Sequence, residues 1–497
     1  MNAPPHDHVA PENGGILSLL KRTWWTGRQY DAMCMTPQRL RRGQEERLRH
    51  LIDIARARSP YYREKFRDVP PGCTDLTQFP VTTKADMMAH FDDVVTDPAV
   101  TREGVEQFIS DTRNVSRSFL GKYCVAHTSG SQGQPTLIVQ DQLVLDLLFA
   151  FQMTRGNPAF RGLKRFTQIV RNVFNPTRVA VLISQQGFFP SAWVWQRLPK
   201  YMHCYMRFLF LPANDPDLVA KLNDFRPMVV TATPTTLDLL SLKIDQLRFP
   251  DLRQAVTWSE TLTEPARRRI SEAFQVPVMD NYAMGECIFL TNGCATATGA
   301  HINADCVIVE VVDDQNRPVP HGQLGHKVLI TNLANTVQPF IRYEIGDRLV
   351  MATEPCRCGN HLPRIEKLLG RAADFFWVNT AAGFRPLTAY PFQHAFDYLR
   401  EIREWQAEQV ERNRLLVRLE PVPATTPDLK KARHRLEERL AITGMQADLD
   451  IEFQTVSHLA TDAHTAKFRR MISRVGIPDD LDPSLKEVAS DFALFQA

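Results

Sequence analysis

The chain is 497 residues long, 44% apolar and 23% charged, with a net charge of +3 and nine cysteines. That length exceeds one ordinary core and calls for about two to four structural units. The small net charge argues against nucleic acid or a membrane surface as a partner, and cysteines this sparse are no secreted disulfide framework but suit a reducing cytoplasm.

Residues 1–15, MNAPPHDHVAPENGG, are polar and rich in Pro and Gly, the composition of a disordered terminus. They show no basic start leading into an apolar stretch, so no signal peptide is expected, and no apolar run of about 18 residues marks a transmembrane helix. Over 36–66 the spacing of Leu48, Leu51, Ile52 and Ile54 predicts helix, ending in SPYYREKF. PVTTKADMMAHF then predicts a Thr-capped helix start with Lys84 and Asp86 in its first turn. The basic stretches 39–49 and 267–269 fall in helical patterns and read as solvated helix faces.

The middle of the chain alternates. FTQIV, VAVLIS, CYMRFLFL and MVVTAT predict short strands, with DPDLVAKLNDF and TPTTLDLLSLKI as helices between them. This is an α/β signature with much parallel sheet. From His301 the texture changes to strands separated by turn residues, a β-rich subdomain over about 300–370. Beyond GRAADFFWVN the order is strand, helix (388–400), two strands, helix (428–440), strand, which suits a small α+β domain. The expected fold class is therefore α/β. A large N-terminal region of several subdomains with mixed sheets, residues 16–371, precedes a small α+β C-terminal domain, residues 372–497.

Several segments can carry chemistry. HTSGSQGQPT, 127–136, places small hydroxyls and glycines in one loop whose free backbone N–H groups can wrap a polyphosphate. No GKS or GKT closes it, so it is not a Walker A loop, and a plain surface turn has the same composition. In DNYAMGE, 280–286, Glu286 at a strand end can hold Mg²⁺. In RYEIGDR, 342–348, Asp347 can accept both hydroxyls of a ribose. GRAAD, 370–374, lies at the domain boundary, and TAKFRR, 465–470, near the C-terminus. Singly, each is also an ordinary turn or helix end.

Their order is specific. A Ser/Thr/Gly loop, a YxxGE-like segment, YxxGD, GRxxD and a late AKFRR follow one another as in adenylate-forming enzymes, the superfamily of acyl-CoA synthetases, peptide-synthetase adenylation domains and luciferases. Over about residues 45–475 the chain resembles that superfamily. QPT closing the phosphate loop, SPYYREKF, PVTTKADM, TWSETLTEPARRRI and CRCGNHLPRIEKLLGR give it the look of the phenylacetate–CoA ligase branch. The resemblance implies an AMP-forming ligase that activates a small aryl carboxylic acid with ATP and passes the acyl group to coenzyme A. An amine, a hydroxyl or a carrier protein is the alternative acceptor, and a non-catalytic nucleotide-binding relative is the remaining reading. It also implies a mobile C-terminal domain, and it leaves open whether the enzyme is a homodimer.

Carried over residue by residue, the resemblance puts Thr128, Ser129, Gly130, Ser131 and Gly133 on the phosphates. Ser259, Glu260, Asn281, Tyr282 and Ala283 would frame the adenine, with Tyr282 also a wall of the acid pocket. Glu286 would bind Mg²⁺, Asp347 and Arg371 the ribose, and Lys467 would reach the acid and the α-phosphate. A carboxylate attacking a phosphoryl group brings two anions together, and Mg²⁺ with a lysine cancels that repulsion as charge moves to the departing pyrophosphate. Two places depart from the family pattern: Ala373 stands where the domain hinge has Asp or Lys, and the stretch from Gly383 strays from the segment that guides coenzyme A. Phe174 and Phe188 are further candidates for the pocket wall, or plain core. Finally, Cys294 and His301, with the CxC pair Cys356 and Cys358, have ligand types that suit a structural Zn²⁺, and some members of the branch carry zinc in this region. Unrelated loop residues remain the alternative, with Cys287 and His361 equally near.

Overall fold

The protein was analysed as a computed structural model, which describes residues 32–475 apart from 116, 128–135, 156–173, 184–187, 189–193, 196–202, 204–205, 214, 242, 260–261, 263, 295, 297–298, 346, 371–374, 381–382, 389, 397–398, 400, 423, 443–448 and 460–469. The helical pattern over 36–66 is two helices, α1 (Pro37–Arg58) and α2 (Pro60–Lys65). Thr36 caps the first through its side chain. Ser59 separates them because a residue before proline is pushed out of the α region, and its hydroxyl then accepts from Tyr62 N to cap the second. A stripe of Leu48, Leu51, Ile52 and Ala55 buries one face of α1. A threonine caps α3 (Lys84–Ala89), as the sequence predicts, and the structure adds that Thr83 and Asp86 close a reciprocal capping box there. The short α4 (Phe91–Val94) and then α5 (Arg102–Ser110) lead to the hairpin β1 (Cys124–His127) and β2 (Leu137–Gln140), followed by α6 (Gln142–Thr154).

A five-stranded parallel sheet comes next, from β3 (Thr177–Ile183), β4 (Met206–Pro212), β5 (Val229–Ala232), β6 (Gln254–Thr257) and β7 (Val278–Asp280), in the order β4-β3-β5-β6-β7. Helices α7 (Leu218–Phe225), α8 (Pro234–Ser241) and α9 (Glu264–Phe274) accompany it. The predicted FTQIV strand lies outside the described residues. The β-rich part begins at Thr291 rather than near residue 300, and it makes two sheets. β8 (Thr291–Gly293), β9 (Ala300–Ile302), β13 (Arg348–Met351) and β14 (Arg364–Gly370) form one, in the order β13-β14-β9-β8, while β10 (Val307–Val312), β11 (Lys327–Asn332) and β12 (Tyr343–Ile345) form the other.

After residue 374 come a hairpin, β15 (Phe375–Thr380) and β16 (Gly383–Thr388), then α10 (Tyr390–Phe396), shorter than the helix read from the sequence. β17 (Ile402–Glu411), β18 (Arg414–Pro421), α11 (Leu429–Ile442), β19 (Asp450–Thr455) and β20 (Met471–Ser473) complete the chain, with the sheet order β19-β18-β17-β20. The buried apolar residues sort into clusters that do not follow the chain. Residues 33–151 share one core with 287–365, joined by Phe188 and Val194; the parallel sheet and its helices have another; and Phe376, Phe392, Phe396 and Trp405 anchor a third beyond residue 374. Among the described residues no helix is long and apolar enough to cross a membrane.

Candidate functional site

In open parallel sheets the carboxyl ends of the strands are where ligands bind, and here Ser259 follows the end of β6 and Asn281, Tyr282 and Ala283 follow the end of β7. After β6, exposed Ser259 holds φ at 70°, a left-handed conformation that costs a non-glycine residue energy and so marks a constrained site. After β7, Asn281 N donates to Thr257 O at 2.9 Å, bringing Asn281 alongside the end of β6. Tyr282 is half-buried, and its hydroxyl donates to Asp347 Oδ2 at 2.6 Å. A residue expected at the adenine and one expected at the ribose, 65 positions apart, therefore touch. Ala283 is exposed beside them.

Glu286 does not sit at a strand end. It lies in a turn closed by pairing of Met284 with Cys287, because the chain leaves β7 and reverses before Thr291. The glutamate is buried at 7% exposure, Tyr343 donates to its Oε1 at 3.0 Å, and Asn332 Nδ2 donates to its backbone oxygen at 2.8 Å. Among the described residues no basic side chain pairs with it, and a buried carboxylate without a counter-charge invites a cation.

The loop expected at the phosphates, with Thr128, Ser129, Gly130, Ser131 and Gly133, lies outside the described residues, as do Glu260, Arg371, Ala373 and Lys467. Its two flanks are described: His127 pairs with Leu137 across the β1–β2 hairpin. β2 is tied to the rest of the site by side-chain amides. Gln140 Nε2 donates to Gly285 O at 2.7 Å, Gln338 accepts from Val139 N at 2.8 Å and donates to Leu137 O at 3.0 Å, and Asn335 Nδ2 donates to Val139 O at 3.0 Å. Gln338 thus takes the place of a neighbouring strand. No local pattern in TNLANTVQPF announces this, since the contacts span about two hundred positions.

The segments PVTT and SPYY buttress RYEIGDR. Thr82 exchanges backbone hydrogen bonds with Arg342 O and Glu344 N, at 3.0 and 2.9 Å, and Tyr62 Oη donates to Pro339 O at 2.7 Å. Arg342 is itself structural: its buried guanidinium pairs with Glu310 and donates to Phe79 O at 2.8 Å. Asp280, to which the sequence assigns no role, is a titratable group at the end of β7. Burial pushes its carboxyl up to about 6, against the pull of the Thr257 hydroxyl, which donates to Oδ1 at 2.6 Å, and of the Arg267 charge. The pocket-wall candidates separate: Phe188 is core, against Phe108, while Phe174 is 85% exposed.

Cys294, His301, Cys356 and Cys358 converge. Their ligand atoms all lie within 4.8 Å of one another, with Cys294 Sγ 3.6 Å from Cys356 Sγ and Cys358 Sγ 3.4 Å from His301 Nε2. Zinc–sulfur and zinc–nitrogen bonds in a tetrahedron give edges of about 3.8 Å and 3.6 Å, so the donor set fits that ion. His301 Nδ1 lies 3.0 Å from Leu362 O. A carbonyl only accepts, so Nδ1 carries the proton and Nε2 is left with its lone pair toward the thiols. Gly299, between the first two ligands, has φ 83° and packs so closely on β14 that a Cβ there would meet Ile365 O at 1.9 Å. The rival candidates fall away. Cys287 is buried in the core, where burial pushes its thiol well up, and His361 is exposed and turned toward Met35 O.

No protein-family model matches the chain. A phenylacetate–coenzyme A ligase of Thermus thermophilus is 26% identical over 373 residues, 72% of this chain and 74% of that protein. Protein CapK of Staphylococcus aureus is 27% identical over 163 residues, 32% of this chain and 34% of its own length. Among solved structures, 2-hydroxyisobutyryl-CoA ligase in complex with 2-HIB-AMP and CoA in its thioesterification state matches with a TM-score of 0.56 at 22% identity, covering 88% of this chain and 90% of that one. Its open conformation matches with a TM-score of 0.50 at 22% identity, covering 86% and 90%. At these identities the structural matches speak for the fold.

Proposed function

We propose that the chain is an AMP-forming carboxylic acid–coenzyme A ligase of the adenylate-forming superfamily, in its phenylacetate–coenzyme A ligase-like branch. The reaction is R–COO⁻ + ATP → R–CO–AMP + PPi, then acyl transfer to the thiol of coenzyme A with release of AMP. The observations that carry the reading are the hydrogen bonds of Tyr282 to Asp347 and of Tyr343 to Glu286, with Gln140 of the β1–β2 hairpin bonded to Gly285 next to that glutamate. A small aryl acid is the substrate class, in keeping with the curated relative's name.

In this reading Asp347 accepts the ribose hydroxyls, and Tyr282, hydrogen-bonded to it, sets its orientation. Asn281, Tyr282, Ala283, Ser259 and Glu260 frame the adenine, and the 128–135 loop offers N–H groups and hydroxyls to the β- and γ-phosphates. Arg371 joins Asp347 at the ribose. Glu286 would hold Mg²⁺, which when bound supplies positive charge to the phosphate oxygens. Lys467, on a C-terminal domain that moves relative to residues 16–371, brings a cation to the attacking carboxylate and the α-phosphate. The four-residue cluster would hold a structural Zn²⁺, closed and without a water ligand, as its donor set suits. Reduced thiols of this kind suit a cytoplasmic setting.

The test is ATP–pyrophosphate exchange over a panel of acids, followed by AMP release on adding coenzyme A alone. Lys467→Ala should lose about 10²–10³ in exchange rate while still converting a supplied acyl-adenylate to the thioester. Full exchange activity in that variant would sink the assignment.

A further inference from the structure

The metal cluster and the adenine frame share one short strand. β8 runs from Thr291 to Gly293 and delivers Cys294 to the cluster. On its way it holds the residues that follow β7. Gly293 N donates to Asn281 Oδ1 at 2.7 Å, and Thr291 Oγ1 accepts from Tyr282 N at 2.9 Å and donates to Tyr282 O at 2.8 Å. There is no slack between them, since a Cβ on Gly293 would meet Asp280 N at 2.7 Å and Asp280 O at 2.8 Å.

On its other edge β8 is held by short ladders and by Asn303, whose side chain donates to Asn292 Oδ1 at 3.0 Å and whose backbone N donates to Leu290 O at 3.0 Å. β8 pairs with β9 over three residues, and β9 pairs with β14 over two, Arg364 with His301 and Ile365 with Ala300. Ladders this short supply few hydrogen bonds. The cluster spans the same joint: Cys294 and His301 come from the β8–β9 hairpin, Cys356 and Cys358 from the loop that leads into β14. Without a cation, crowded thiols attract one another only weakly. Ligation of the four side chains would therefore add a cross-link to a joint otherwise held by these few hydrogen bonds and by burial.

We propose that this cluster is a brace for the nucleotide site: ligation at Cys294, His301, Cys356 and Cys358 fixes β8, and β8 fixes Asn281 and Tyr282 for the adenine. The proposal rests on the zinc reading of the cluster. It makes Thr291 a positioning residue, acting on the nucleotide through Tyr282. By linkage the coupling is reciprocal, so nucleotide must tighten metal by the factor by which metal tightens nucleotide.

The experiment uses the full chain, with AMP as the probe. Zinc content is measured first, then AMP affinity by calorimetry before and after treatment with a chelator. Zinc affinity is then measured by competition with a chromophoric chelator, with and without saturating AMP. Removing zinc should weaken AMP binding about tenfold, the effect of freeing one or two hydrogen bonds, and AMP should raise zinc affinity by the same factor. Thr291→Val keeps all four ligands, so it should retain zinc, bind AMP about as weakly as the stripped protein, and lose the reciprocal effect. One zinc per chain whose removal leaves AMP affinity unchanged overturns the brace and leaves the zinc reading standing. A protein purified without zinc overturns both. If the stripped protein unfolds, Thr291→Val decides alone, and wild-type AMP affinity in that variant overturns the proposal.

Discussion

At the scale of single residues, the site turns on how two carboxylates are held. Glu286 is buried and receives the Tyr343 hydroxyl. Removing that hydroxyl leaves the carboxylate free to rotate but still able to bind a cation. Tyr343→Phe is therefore expected to raise the Mg²⁺ concentration for half-maximal pyrophosphate exchange a few-fold, and Glu286→Gln to raise it much further. An unchanged Mg²⁺ titration in Glu286→Gln would make the carboxylate structural. Asp280 sets a pH dependence. Burial raises its carboxyl to about 6 from an ordinary value near 3.8. The folded state thus holds a proton that the unfolded state has lost, and the associated stability is present below about pH 4 and lost as pH rises through about 6. Asp280→Asn carries no such charge. Its melting temperature should gain on that of the wild type between pH 4 and pH 7, and a constant difference over that window would show that Asp280 is already ionised.

At the scale of elements, the β1–β2 hairpin is held by Gln338, which is fully buried and satisfies Val139 N and Leu137 O. Gln338→Met keeps the volume but strands both backbone groups, at about 1–3 kcal/mol each. Thermal denaturation should register that loss, and if residues 128–135 hold the phosphates as proposed, the KM for ATP should rise with it. Stability within about 0.5 kcal/mol of wild type, the size of a neutral surface change, would mean the strand edge is satisfied otherwise. What the sequence makes legible here is local. The parallel strands and the Thr cap of α3 rest on neighbours in sequence, and the structure keeps them. The break at Ser59 was equally open to reading, since Pro60 follows it. Gln338, Asn335 and Thr291 were not, because each acts on a backbone that only the folded chain brings near. The turn of Glu286 was misplaced for a related reason: β7 is three residues long and stops well before it.

At the scale of the whole molecule, the motifs SPYYREKF and PVTTKADM earn their place through distant partners, Tyr62 with Pro339 and Thr82 with Arg342. They belong to the core that residues 33–151 share with 287–365, into which the parallel sheet is inserted as a separately packed unit. That arrangement fixes an order of events during synthesis. Tyr62 and its partner are 277 residues apart, and at about 5–20 residues per second a ribosome needs roughly 15–55 s to bridge them. The sheet unit closes on residues near in sequence and can pack during that wait, while the amino-terminal helices stand with their apolar stripe uncovered. Chains arrested on the ribosome near residue 285 should accordingly be cut readily by protease within 33–151 and resist within 177–280, whereas chains extended past residue 400 should resist in both. Uniform protection in the shorter chains would mean that the helices find a temporary partner. The nascent chain is thus expected to lean on chaperones until residues 287–365 have emerged, and synonymous changes that slow the codons for 281–365 should lower its soluble yield more than equal changes beyond residue 375.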